Sequence, residues 1–228
     1  MGRTVDLNAD LGEEITDDAA LLEVVSSANL ACGFHAGTPA IMRQVCELAA
    51  VRGVAIGAQV SYADREGFGR RRTDIGYELL RDQVAEQVGL LTEIATSAGI
   101  VVSYVKPHGA LYNRVVDDRE QAGAVLDGSG RLPVLSLPGS VITELALERR
   151  VFTEGFPDRG YTETGRLVPR DLPGALVTDP GEVVRNAARL ADMVDSVCIH
   201  GDSPGAVLTA RRVRAGLDAA GFVVQRFS

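Results

Sequence analysis
The sequence predicts an α/β fold in which a parallel sheet is closed, or nearly closed, into a barrel, in preference to an open doubly wound sheet. Three observations carry this. Short apolar runs of strand length alternate with longer amphipathic stretches in roughly seven strand–helix units in succession. The runs end abruptly in polar segments punctuated by glycine or proline, as parallel strands do where they hand the chain to a loop free to vary. All three histidines, His35, His108 and His200, stand at that position, each within two residues of a glycine. A chain of 228 residues can bury a full core, and one α/β domain over residues 1–228 is the economical reading.

Residues 4–10 alternate in character, so Asp6, Asn8 and Asp10 share one face of a first strand and Val5, Leu7 and Ala9 the other. Asp17 and Asp18 are an N-cap pair opening a helix through Leu21, Leu22, Val24 and Val25. A second strand over 26–32 ends in Gly33-Phe34-His35-Ala36-Gly37. Thr38 caps the next helix and Pro39 takes its first position, with Ile41, Met42, Val45, Leu48 and Ala49 as the inward stripe. The third strand, 53–59, precedes a long loop over 61–73 in which Gly67 and Gly69 bracket Phe68 and three arginines follow. Its length and content mark it as functional. Residues 77–98 form a long amphipathic helix with Leu79, Leu80, Val84, Val88, Leu91 and Ile94 inward. The apolar run 99–105 is a buried strand that delivers Lys106, Pro107 and His108 to its C-terminal end, and Pro107 removes a backbone donor where the chain leaves the sheet. Beyond it, helices at about 118–126 and 141–147 alternate with strands at 132–137 and 151–156. A polar stretch over 157–171, a helix over 180–191, a strand over 194–200, a helix over 206–220 and a run over 222–227 complete the chain.

Charged residues make up 24% and apolar residues 46%, an ordinary globular composition. The net charge of −8 argues against nucleic acid or an anionic membrane surface as partner. The first residues lead straight into a strand without a signal-like apolar core, and no apolar run has the length of a membrane span, so a cytoplasmic location is expected. Cys32, Cys46 and Cys198 are odd in number and lack a C-x-x-C spacing, which points to buried small hydrophobes, not to a disulfide framework or zinc knuckle.

If the strands form one barrel, the three imidazoles converge on its C-terminal mouth with Asp10, Lys106, Asp158, Arg159 and Asp202. Histidines, carboxylates and a lysine at one mouth suit proton transfer and oxyanion stabilisation. The alternative, three packing histidines, does not explain their shared position. The spacing of Asp6, Asn8 and Asp10 hints at a calcium loop, but Leu11 stands where that loop needs glycine and Asp17 where it needs glutamate. A transition-metal site of Asp10 and two histidines is chemically reasonable, although no H-x-x-x-H or H-E-x-x-H spacing supports it. There is no P-loop and no dinucleotide fingerprint, so any ATP is not held here by a P-loop. Arg70, Arg71 and Arg72 read either as a solvated face or as a site for a carboxylate or phosphate.

Several stretches carry a family resemblance: Val5-Asp-Leu-Asn-Ala-Asp-Leu-Gly-Glu13, Ser27-Ala-Asn-Leu-Ala-Cys-Gly-Phe-His-Ala-Gly37, Gly67-Phe-Gly-Arg-Arg71 and Val105-Lys-Pro-His-Gly-Ala-Leu-Tyr-Asn113. Asp158-Arg159 with Tyr161, Gly165-Arg-Leu-Val168 with Arg170, and Ile199-His-Gly-Asp202 continue it. In order and over essentially the whole chain, they resemble the LamB/YcsF lactam-utilisation family. The resemblance implies a seven-stranded β/α barrel, a distorted TIM-like form related to glycoside hydrolases and polysaccharide deacetylases. It further implies ATP-dependent hydrolytic opening of 5-oxoproline to L-glutamate with two partner subunits, B and C, of a 5-oxoprolinase. Carried over by residue, it assigns catalysis to Asp10, His35, Lys106, His108 and His200. Substrate binding falls to Asp6, Asn8, Asn29, Gln59, Arg70, Asp158, Arg159 and Asp202. No residue is assigned to a metal, and whether one is bound stays open, as does self-association. Gln59 departs from the family, which carries histidine there, and an amide cannot carry a proton near neutral pH.

An unstrained lactam is a poor electrophile. The expected course is phosphorylation of the amide oxygen by a partner, then addition of water in this barrel. Asp10 or a histidine would serve as base, Lys106 and His108 would stabilise negative charge, and Arg70 would bind the substrate carboxylate. Two rivals remain: an ATP-independent, metal-dependent amidase or deacetylase, and a non-catalytic subunit that captures a lactam or sugar.

Overall fold
The computed structural model describes residues 2–201 and 205–227. Seven strands, β1 (Arg3–Leu11), β2 (Ser27–Ala31), β3 (Ala55–Val60), β4 (Val102–Pro107), β5 (Val134–Ser136), β6 (Val151–Gly155) and β7 (Ser196–Ile199), pair in parallel in chain order. β1 bonds β2 through Asn8–Leu11 and β7 through Asp6–Ala9, which closes the sheet into a barrel. A short eighth strand, β8 (Phe222–Val224), runs parallel to the first residues of β1, Arg3 to Val5, outside the seven-stranded ring.

The helices are α1 (Asp18–Leu21), α2 (Pro39–Arg52), α3 (Tyr77–Ser97), α4 (Gly109–Arg114), α5 (Arg119–Gly128), α6 (Val141–Leu145), α7 (Pro180–Leu190) and α8 (Ala206–Ala219). Their starts follow the sequence signals. Asp17 and Thr38 accept from Ala20 and Ile41 backbone N–H groups, and Asp118 and Asp179 cap α5 and α7 in the same way.

Strand alternation sorts the side chains into two compartments. Val5, Leu7, Ala9 and Leu11 of β1, with Ala28, Leu30, Ile56, Ala58, Val105, Val197 and Ile199, join the apolar core shared with the helices. The opposite faces carry Asp6, Asn8, Asn29, Gln59, Tyr104, Lys106, Glu154 and Ser196, all buried, into the barrel. This interior is polar, unlike the layered aliphatic filling usual in eight-stranded barrels. Its floor is aromatic: Phe227 packs on Phe152 and Tyr104 with ring centroids 4.2 and 5.1 Å away. A Cβ on Gly57 would come within 2.1 Å of the Tyr104 ring, so only glycine leaves room for that tyrosine at the register shift between Ile56 and Gly57.

Several boundaries and faces differ from the sequence reading. Residues 99–101 are not strand, because Gly99 adopts a left-handed φ of 75° after α3 and β4 begins at Val102. Leu79 is 56% exposed while Leu80 is buried: the two lie about 100° apart on the helix, and the inward stripe continues through Val84, Gln87, Leu91 and Ile94. α6 stops at Leu145, leaving Leu147 89% exposed, and α1 ends at Leu21, with Val24 and Val25 buried in the turn beyond it.

Candidate active site
The site stands on a hydrogen-bonded column inside the barrel. At its base, the Asp6 carboxylate accepts from the hydroxyls of Ser26 (2.7 Å), Ser27 (2.6 Å) and Ser196. Burial raises the Asp6 carboxyl to about 6 in spite of these donors. One layer up, Asn8 Nδ2 donates to Ser196 Oγ at 2.7 Å and to Glu154 Oε2 at 3.3 Å. Asn29 Nδ2 donates to Asn8 Oδ1 (2.6 Å) and Asp10 Oδ1 (2.9 Å), and the Tyr104 hydroxyl donates to Asn29 Oδ1 at 2.7 Å.

Lys106 crowns this column. Its Nζ lies 3.0 Å from Glu154 Oε2, 3.2 Å from Asp10 Oδ1 and 3.2 Å from Cys198 Sγ, with the side chain almost wholly buried. Burial opposes the charge, but Asp10, Cys198 and Glu154 hold the ammonium well above its ordinary value. Asp10 in turn is brought down to about 2: burial works against ionisation, and Lys106, His108 and His200 outweigh it. The pair is thus a fixed dipole of opposite charges at the mouth.

Two histidine groups flank it. On one side, His35 stacks on His108 with centroids 4.0 Å apart and planes 13° from parallel, and Phe68 meets both rings edge-on. Glu13 Oε1 lies 3.7 Å from His35 Nε2 and 3.6 Å from His108 Nδ1, while Gln59 Nε2 donates to it at 3.0 Å. Burial holds His35 down to about 4; burial and the neighbouring His35 push His108 well below its usual value, so both rings are neutral near pH 7. Among the described residues, neither buried His35 nitrogen has a hydrogen-bond partner. On the other side, His200 Nδ1 lies 2.8 Å from Asp158 Oδ2, and its ring stacks on Phe156 at 5.1 Å. Burial opposes ionisation of Asp158, yet His200 lowers its carboxyl below the usual range.

The ligand atoms of Glu13, His35 and His108 lie within 4.8 Å of one another. Their geometry does not suit one ion. Imidazole binds metal through an in-plane lone pair at about 2.0–2.1 Å, and two stacked, nearly parallel rings do not direct those lone pairs to a common point. Asp10, expected beside two histidines in the metal alternative, instead faces Lys106 and Asn29.

Above these groups opens a cleft of about 530 Å³ whose lining includes Asp10, Glu13, Lys106, His108, Tyr112 and His200, with Arg70, Arg159, Arg166 and Arg170 on its walls. The structure brings Asp10, Lys106, His108, His200, Arg70 and Arg159 to the cleft. His35 stands behind His108, and Asp158 behind His200. Asp6, Asn8 and Asn29 lie in the column beneath, Gln59 is fully buried with its amide on Glu13 and His108, and Asp202 falls outside the described residues. Arg159 braces the loop over it, donating to the carbonyls of Ala175 (3.0 Å) and Val168 (2.7 Å). Of Arg70, Arg71 and Arg72, only Arg70 reaches the cleft, while Arg71 pairs with Asp64 and Glu66 at the surface.

Sequence reasoning did not single out Glu13 or Glu154. Glu154 had a signal, being the one charged residue inside an otherwise strand-like run, since a carboxylate in a buried strand needs a partner. Glu13 had none, because its direction comes from the turn at Gly12, where φ is 74° and the strand period ends.

A model of the LamB/YcsF family matches residues 5–228. The chain is 56% identical to a protein of Streptomyces avermitilis named as the A subunit of 5-oxoprolinase, over 98% of this chain and 100% of that one. It is 48% identical to a protein of the same name from Mycobacterium avium, over 98% of each. Among solved structures it is similar to the lactam utilization protein of Thermus thermophilus, with a TM-score of 0.91 and 39% identity over 98% of this chain and 100% of that one. The catalytic domain of a peptidoglycan N-acetylglucosamine deacetylase from Eubacterium rectale shares the fold alone, with a TM-score of 0.58 at 12% identity over 100% and 90% of the two chains. With its seven parallel strands, its mouth of histidines and carboxylates and these matches along nearly its whole length, the chain belongs to the LamB/YcsF family.

Proposed function
We propose that this chain is the ring-opening subunit of an ATP-dependent 5-oxoprolinase, converting 5-oxoproline that partner subunits B and C have phosphorylated on the amide oxygen into L-glutamate. The observation that carries the reading is the His200–Asp158 pair at the cleft, opposite Asp10 and Lys106. With Nδ1–H held by Asp158, the lone pair of His200 is on Nε2, the arrangement of an oriented general base.

Phosphorylation turns the amide carbon into an electrophile with phosphate as one leaving group and the ring nitrogen as the other. Water adds to that carbon while His200 takes its proton. If phosphate then left, the lactam would re-form and the ATP would be wasted. Productive collapse breaks the carbon–nitrogen bond, which requires a proton on nitrogen, and the His200 imidazolium supplies it. The resulting acyl phosphate gives glutamate and phosphate on reaction with a second water. Lys106, held as a cation by Asp10 and Glu154, lowers the energy of negative charge developing above it, and Arg70 and Arg170 supply guanidinium groups for the substrate carboxylate and phosphate. The relatives' name and the arginine-lined cleft support this reading together.

The test is glutamate release from 5-oxoproline by the chain alone and with its candidate B and C subunits, with and without ATP. Activity is expected only with partners and ATP, and His200→Gln is expected to lower kcat by about 10²–10⁴-fold at an unchanged melting temperature. Turnover by the chain alone without ATP would overturn the reading, as would full activity of H200Q.

A further inference from the structure
Gln59 ends the barrel-facing side of β3 with no exposed surface, and its amide nitrogen sits between the Glu13 carboxylate, which can only accept, and a ring nitrogen of His108 whose role depends on the tautomer. Nε2 lies 3.0 Å from Glu13 Oε1 and 2.9 Å from His108 Nδ1. Glu13 fixes which end of the amide faces this way: an oxygen turned toward the carboxylate would set acceptor against acceptor. The amide oxygen is left buried without a partner among the described residues, so the two N–H contacts are what hold the group in this orientation. Across the ring, His108 Nε2 lies 3.2 Å from the carbonyl oxygen of Phe68, which can only accept. That carbonyl is aimed by a backbone in the left-handed region, φ 55° at Phe68 and 68° at Gly69, and a Cβ on Gly69 would come within 3.1 Å of His108 Cδ2.

We propose that Gln59 sets the tautomer of His108. One permanent N–H of its amide engages the Glu13 carboxylate and the other caps the Nδ1 lone pair, so that His108 is neutral and carries its proton on Nε2, donated to Phe68. The groups facing this ring are Glu13 and Asp10 from β1 and the turn after it, His35 from the loop after β2, and Arg70 from the loop after β3. Two carboxylates there favour an imidazolium, and the Gln59 amide opposes it by occupying the nitrogen that would take the second proton. His108 is then an oriented neutral ring with both nitrogens engaged, and proton transfer at the mouth belongs to His200. Gln59 is on this account a positioning residue whose effect passes through His108.

The proposal is read without turnover and so does not depend on the reaction proposed above. The chain has three histidines, so a multiple-bond proton–nitrogen NMR correlation of the imidazoles contains three ring patterns, and His108 is assigned by its loss in His108→Asn. The expected wild-type pattern is a protonated Nε2 and a bare Nδ1, constant from about pH 8 to about pH 6. In Gln59→Leu the capped nitrogen is released toward Glu13, and the ring is expected to acquire Nδ1–H character and to titrate within that range. A wild-type His108 protonated on Nδ1 would overturn the proposal, as would an unchanged, non-titrating pattern in Q59L. If Q59L does not fold, the wild-type pattern decides alone.

Discussion
Lys106 shows how much one side chain holds at this mouth. Its ammonium lies between Asp10 and Glu154, so Lys106→Met would leave two carboxylates facing each other in a buried site. Removing one partner of a buried ionic group costs about 3–5 kcal/mol, and K106M is expected to lower stability by that amount in chemical denaturation and, on the function proposed above, to abolish glutamate release in the presence of the B and C subunits and ATP. The lysine was legible in the sequence because a strand ended on it; its pairing with Glu154 was not, because the two lie far apart in sequence and only the barrel brings them together. The stacked histidines make a second prediction. His35 is held to about 4 in the fold by burial, below the ordinary histidine value, and His108 is lowered in the same direction. Unfolding therefore takes up protons in acid: the stability these rings contribute is complete above about pH 6.5 and is lost as pH falls toward about 4, by about 3 kcal/mol for His35. Asp6, raised to about 6 by burial, opposes this, because its neutral form in the fold favours the native state on the acid side. Stability measured between these limits is expected to fall less steeply with acid in His35→Gln than in wild type; equal slopes would contradict the neutral buried ring.

At the scale of elements, the period of two along each strand did most of the predictive work. It separated Asp6, Asn8 and Asp10 from Val5, Leu7 and Ala9 correctly, since a strand's two faces enter different buried surroundings, here the polar barrel interior and the apolar core beneath the helices. Periodicity could not place ends, as residues 99–101 and Leu147 show, because an apolar residue beside a turn looks the same in sequence as one inside an element. Nor could it reveal that Gly57 makes room for Tyr104, a contact between neighbouring strands at a shifted register. Gly57→Ala is expected to cost about 1–3 kcal/mol by overpacking, either displacing Tyr104 from its hydrogen bond to Asn29 or opening the β3–β4 pairing. The second substitution Tyr104→Leu should recover part of that loss in thermal unfolding if the ring is the obstacle. If the double variant is no more stable than G57A, the strain lies in the backbone instead.

For the molecule as a whole, a polar barrel interior means that the seven-stranded ring is stabilised chiefly by its outer layer of helices and plugged from below. The ring itself was legible as a run of strand–helix units, whereas β8 read only as a terminal run, since nothing in its sequence states that it pairs with the first residues of β1. That pairing carries Phe227 beneath the barrel, where it packs on Tyr104 and Phe152 at the end opposite the polar mouth. Plug and site are therefore separated by the Asp6, Asn8 and Asn29 column. Phe227→Ala removes a half-buried ring, at a cost of about 1–3 kcal/mol, and opens a route for water to the lowest layer, while Lys106, His200 and their partners keep their contacts. The expected result is a lower melting temperature with kcat and KM unchanged at temperatures where the variant is folded. A large fall in kcat at unchanged folded fraction would mean that the column transmits disorder from floor to mouth, and the two ends of the barrel would have to be treated as one cooperative unit.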